Sequence, residues 1–82
     1  MDYTYVLYSF AKRKFYVGWS SDLRRRLTEH NRGQNKSTAI GRPWKLIYYE
    51  AYQKESLAQK REQVFKKRGR VWQSLRKRIN PK

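Results

Sequence analysis

Residues 3 to 9, YTYVLYS, are aromatic, aliphatic and β-branched without a breaker, the pattern of a strand buried on both faces or nearly so. The polar stretch from Phe10 to Lys14 is short enough for a hairpin loop, and the FYVGW beyond it has strand character ending at Gly18. The first two strands are therefore expected to pair antiparallel. Ser20, Ser21 and Asp22 offer N-cap oxygens, and LRRRLTEHN, residues 23 to 31, sets Leu23 and Leu27 one turn apart, which predicts a first helix.

Residues 32 to 43, RGQNKSTAIGRP, hold two glycines, a proline and small polar residues, so they read as a loop. Connections of about a dozen residues are often functional. This one carries Arg32, Lys36 and Arg42 with Ser37 and Thr38, all able to contact phosphate, although a plain flexible connection has the same composition. WKLIYYEAY, residues 44 to 52, predicts a third strand in the same sheet. From Glu55 to Arg68 the residues Leu57, Ala58, Val64 and Phe65 recur at helical spacing, with Gly69 as a natural stop. RVWQSLRKRI then places Val71, Trp72, Leu75 and Ile79 on one side of a short third helix and Arg76, Lys77 and Arg78 on the other. The order strand, strand, helix, strand, helix, helix fits a small α/β sandwich of the α+β kind, with a three-stranded antiparallel sheet and about three helices.

Composition sharpens this picture. A chain of 82 residues has room for one modest core, and with 16% aromatic residues and no cysteine it must be stabilised by packing, without disulfides or a thiolate zinc site. The formal net charge of +15 repels itself unless something anionic neutralises it. Polyphosphate is the commonest such partner, because each Lys or Arg placed on a phosphate releases a counterion. A merely solubilising surface is the blander reading. No apolar run approaches the roughly 20 residues of a membrane span, and MDYTYVLYS lacks the pattern of a signal peptide, so the expected location is the cytoplasm.

Several polar residues fall in unusual places on this scaffold. Tyr5 sits mid-strand and Tyr16 stands next to Gly18, eleven residues further on across a hairpin, so their phenols could lie side by side. Packing alone would also explain either one. In the first helix Arg26 and His30 lie one turn apart on the side of Leu23 and Leu27, where they would reach the edge of the sheet, and Arg24 and Arg25 turn away. Glu62 is the one acid between residues 60 and 82, a stretch that runs to the basic Lys82, and it flanks the buried stripe of the second helix. A carboxylate there needs a partner, either a neighbouring Lys or Arg or a hard divalent cation, whose shell phosphate oxygens and water can complete.

The run YVLYS, FYVGWSSDLRRRLTEHNRG, GRPWKLIYYEAY and ESLAQKREQVFKK closely resembles the GIY-YIG nuclease superfamily. The likeness is to its small stand-alone bacterial members, predicted endonucleases related to the N-terminal catalytic module of the excision-repair incision subunit. It spans Tyr3 to about Lys67, with Tyr3, Thr4 and Tyr5 in place of Gly-Ile-Tyr and Tyr16, Val17 and Gly18 in place of Tyr-Ile-Gly. Only the tyrosine of the first tripeptide survives, and the resemblance implies that its hydroxyl is the working group.

The resemblance implies a single GIY-YIG-like catalytic domain over residues 1–82 and a metal-dependent endonuclease that hydrolyses phosphodiester bonds in nucleic acid, with DNA rather than RNA the expected partner, in a DNA-repair setting. It implies catalytic roles for Tyr5, Tyr16, Arg26, His30 and Glu62, with Glu62 holding one Mg²⁺ or Mn²⁺ ion. A phenol would take the proton of the attacking water, and because a free tyrosine titrates near 10 this requires a lowered pKa. The basic residues expected to grip the nucleic acid are Arg24, Arg25, Arg32, Lys36, Arg42, Lys66, Arg76, Lys77 and Arg78. With no room for a DNA-reading module, low sequence specificity is expected. A weakly active or non-catalytic DNA- or RNA-binding protein that keeps the fold is the alternative, and recruitment through a partner protein is a third reading.

Overall fold

The computed structural model describes residues 1–81, so Lys82 at the end of the basic tail lies outside them. Strands β1 (Asp2–Ser9) and β2 (Lys14–Ser20) form the expected hairpin, followed by helix α1 (Leu23–Asn31), strand β3 (Trp44–Tyr52) and helices α2 (Glu55–Lys66) and α3 (Arg70–Ile79). The sheet is antiparallel with order β2-β1-β3, which puts β1 in the middle.

Being central and covered on both faces explains why YTYVLYS shows no polar alternation. Successive side chains of β1 point to opposite faces. Val6 joins Val17, Phe65, Trp72 and Leu75 in the core under α2 and α3, while Tyr5 and Leu7 join Trp44, Leu23 and Leu27 under α1. Phe65 and Trp72 are fully enclosed, so truncating either to Ala should cost about 3–5 kcal/mol. An irregularity opposite Val6 and Leu7 lets both Ile47 and Tyr48 of β3 pack against the α2/α3 core.

Helix α1 starts where Asp22 accepts a hydrogen bond from the Arg25 backbone N at 3.1 Å. Helix α2 ends earlier than its glycine suggests. Arg68, with φ 57°, takes the left-handed stop, and Gly69 instead caps α3. The guanidinium of Arg68 lies 4.4 Å from the centre of the Trp72 ring, a contact that offsets the backbone cost.

The connection between α1 and β3 is tied down, which argues against a plain flexible linker. Asn31 clamps the backbone of Trp44 from both sides, accepting from its N at 2.6 Å and donating to its O at 3.0 Å. The Trp44 indole donates to Thr38 O at 2.6 Å, and Ala39–Gly41 form a single 3₁₀ turn beneath it. Among the described residues no helix is long and apolar enough to cross a membrane.

Candidate active site

In the β1–β2 ladder Tyr5 opposes Gly18 and Leu7 opposes Tyr16, so the two tyrosines are diagonal neighbours on the α1 face, ring centres 6.4 Å apart. Helix α1 lays His30 over them, 4.8 Å from the Tyr16 ring centre. His30 is fully buried over the middle strand, deeper than the sheet edge expected for it, because its partner Tyr5 stands on β1.

A directional run of hydrogen bonds fixes the imidazole. Thr38 Oγ1 lies 3.2 Å from Asn35 O, and with its proton directed there it accepts from His30. His30 Nδ1 therefore donates to Thr38 at 2.8 Å, which leaves Nε2 bare to accept the Tyr5 hydroxyl at 3.0 Å. Burial and then the charge of Arg26 lower the His30 pKa, consistent with a neutral ring. Thr38, grouped by its loop composition with the phosphate contacts, is 1% exposed and serves this run instead.

Burial raises the Tyr5 pKa well above that of a free phenol. Tyr16, Glu62 and Glu29 raise it further, and Arg26 opposes them. Without a cation beside it, burial outweighs the guanidinium at Tyr5. The charges of Tyr16, Arg26 and Glu62 are all felt at the Tyr5 phenol, although Glu62 stands on α2, which packs on the other face of the sheet. Tyr16 differs from Tyr5 in being partly exposed, and among the described residues its hydroxyl has no hydrogen-bond partner.

Two carboxylates are candidates for a cation, and they differ. Glu50 is filled by protein donors: Tyr48 and Tyr52 each at 2.5 Å and Arg61 at 2.8 and 3.2 Å. Burial alone would raise its pKa, but those bonds hold it below the usual carboxylate range. Glu62 is 8% exposed and, among the described residues, pairs only with Lys66, at 3.3 Å. Lys66 keeps 46% of its side chain in solvent, so it can swing away and leave a buried carboxylate for a hard cation. Among the described residues no three metal-ligating side chains are grouped, so a cation on Glu62 would have to take its other ligands from water and phosphate.

The basic residues divide by location. Arg26 and Lys36 line a cleft at His30, and Tyr16 opens on a second cleft with Lys12, Lys14 and Ser37. Lys12 and Lys14 are hairpin residues that sequence reasoning missed, since hairpin lysines are ordinary and no pattern points to them. Arg24, Arg25 and Arg32 are exposed along and just after α1, with Arg25 3.6 Å from Glu29. Arg42 folds back onto its own loop, donating to Ala39 O at 2.7 Å, and Lys66 sits on Glu62. Arg76 lies over Phe15, 5.4 Å from the ring centre, and α3 packs on the face opposite Tyr5 and His30, so Arg76, Lys77 and Arg78 are not gathered at the cluster.

An α+β sheet with two diagonal tyrosines, an arginine and histidine from the next helix and one buried glutamate defines a class of nuclease fold. Residues 1–80 match the family model described as the GIY-YIG catalytic domain, and the chain belongs to the GIY-YIG family. It is 40% identical over 67 residues to a UPF0213 protein of Streptococcus pyogenes serotype M5, covering 80% of this chain and 72% of the relative. It is 37% identical over 68 residues to a UPF0213 protein of Clostridium perfringens, covering 82% and 72%. The solution NMR structure of a UPF0213 protein from Bacillus halodurans superposes with a TM-score of 0.57 at 26% identity, covering 99% of this chain and 89% of that one.

Proposed function

We propose that this chain is a metal-dependent endonuclease that hydrolyses phosphodiester bonds in nucleic acid, DNA in preference to RNA, with low sequence specificity. The observation that carries the reading is the run Tyr5, His30, Thr38, set beside the unpartnered Tyr16 phenol and within the fields of Arg26 and Glu62. Ordinary core packing calls for neither a directional donor chain nor a buried carboxylate with so replaceable a partner.

Glu62 would hold the Mg²⁺ or Mn²⁺ ion, which when bound polarises the scissile phosphate and stabilises the departing oxygen. Arg26, with 41% of its side chain exposed, neutralises charge that builds on the non-bridging phosphate oxygens. Tyr16 orients the attacking water through its free hydroxyl. Tyr5 takes the proton of that water on its phenol oxygen as its own O–H proton moves to His30 Nε2. The phenol stays neutral throughout, so its raised pKa is no obstacle, and a neutral imidazole is the form that can accept. The new charge on His30 rests against Thr38 Oγ1, the acceptor of its Nδ1–H. Lys12, Lys14 and Lys36 supply backbone grip around the two clefts, and such contacts carry no base identity.

The test is a cleavage panel: supercoiled plasmid and single-stranded, duplex, flapped and branched DNA, each with Mg²⁺, Mn²⁺ or a chelator. Metal-dependent cutting without a short consensus supports the reading. Tight binding without cutting in any metal assigns the chain to the alternative, a nucleic-acid-binding protein that keeps the fold.

A further inference from the structure

On the α1 face a shallow groove runs beside the tyrosine cluster, lined by Tyr3, Tyr49, Leu46, Leu23, Leu27 and Arg24. Tyr49 is the direct partner of Tyr5 in the β1–β3 ladder, so the groove begins one residue spacing from the phenol that faces His30. Its rings are presented rather than packed away. Tyr49 is 53% exposed and stands edge-on to Tyr3, with centres 5.9 Å apart and planes at 69°. The exposed Arg24 guanidinium stands there too, beside Ser21 and Asp22, whose carboxylate is taken up in capping α1.

Aromatic faces, an aliphatic floor and a guanidinium together suit a planar, electron-rich ring attached to an anionic chain. A second copy of this chain is a poor occupant, because each copy carries +15 and their approach is repulsive. A base inside an uninterrupted duplex is also excluded by geometry, since both its faces are already stacked.

We propose that this groove stacks one unpaired base of the DNA strand being cut, the base flanking the phosphodiester that Arg26 meets. The substrates favoured are then DNAs with a flap, bulge or single-stranded segment, ahead of continuous duplex. This rests on the nuclease reading, but it can be tested without turnover.

The experiment measures binding in chelator, so that nothing is cut, using a flapped DNA with 2-aminopurine in the flap and the matching continuous duplex. Wild type and Tyr49→Phe should quench the 2-aminopurine and bind the flapped DNA more tightly by on the order of tenfold. Tyr49→Ala and Tyr49→Leu should lose both the quench and the preference while melting at the wild-type temperature, the Leu variant keeping bulk in case the Ala variant is unstable. Equal binding of both DNAs by wild type, or a preference unchanged in Tyr49→Leu, overturns the proposal. So does tighter binding of RNA of the same sequence, or a concentration-dependent dimer that Tyr49→Leu breaks. Failure of the nuclease reading is distinguishable, because cutting would be absent with the quench intact.

Discussion

Tyr5 and Gly18 face each other across the central hairpin, and the missing side chain of the glycine is what makes room for the phenol: a Cβ at Gly18 would stand 2.5 Å from the Tyr5 hydroxyl oxygen. The hydroxyl that meets His30 thus depends on a glycine two residues from Tyr16. In Gly18→Ala the Tyr5 ring must move, and it lies in a filled core. Overpacking of this kind costs about 1–3 kcal/mol, and a shift of about 1 Å in a catalytic group costs about a hundredfold in rate. Thermal melting and cleavage rate together check this, since a purely structural glycine would lower stability and leave the rate of the folded fraction unchanged.

Tyr5→Phe leaves His30 Nε2 without its donor. An orphaned buried acceptor costs about 1–3 kcal/mol, so melting should fall while binding to DNA persists and cutting is lost. In the wild type, nitrogen NMR of the imidazole should show the proton on Nδ1 at neutral pH. A ring protonated on Nε2 would reverse the run and remove the proton acceptor.

Most of the fold was legible because its elements carry strong local signals. The limits of α1, β3 and α3 fall where LRRRLTEHN, WKLIYYEAY and RVWQSLRKRI place them. The end of α2 differs from that reading because a glycine is the usual stop, whereas here Arg68 takes that conformation with its guanidinium over Trp72, a contact invisible in sequence order. The pairing of Tyr5 with Tyr16 followed from hairpin spacing, but the partnership of His30 with Thr38 did not. It depends on how residues 32 to 43 fold back, and loop composition does not encode that path. The placement of α3 on the far face was equally hidden, since an amphipathic stripe says that a helix packs and not on which side.

Stability should depend on pH through the same dyad. The folded pKa of His30 lies below its ordinary 6.5, so as pH falls below about 6.5 the unfolded chain binds the proton first and stability declines. The folded pKa of Tyr5 is raised from its ordinary 10.0, so above about 10 the unfolded chain loses its proton first and stability declines again. Denaturant melts across this range should show a plateau from about 7 to 9. His30→Gln should flatten the acid side, and an unaltered acid limb would assign the loss to other groups.

Salt dependence should report which lysines grip the backbone. Each phosphate contact contributes about 0.9 to the slope of log K against log salt on duplex DNA. Replacing Lys12, Lys14 and Lys36 by Ala should therefore lower the slope by about 2 to 3. Replacing Arg76, Lys77 and Arg78, on the far face, should lower it much less. The reverse order would put α3 in the interface.

The most direct test compares Glu62→Gln with wild type for nicking of supercoiled plasmid in Mg²⁺ or Mn²⁺, with DNA binding measured in parallel. Gln keeps the size of the side chain and its hydrogen-bonding capacity but removes the charge that would hold a cation. The account predicts that the variant binds DNA at least as well as wild type and that nicking falls by a hundredfold or more. Nicking by Glu62→Gln at the wild-type rate, or a wild type that cuts equally well in chelator, would contradict it.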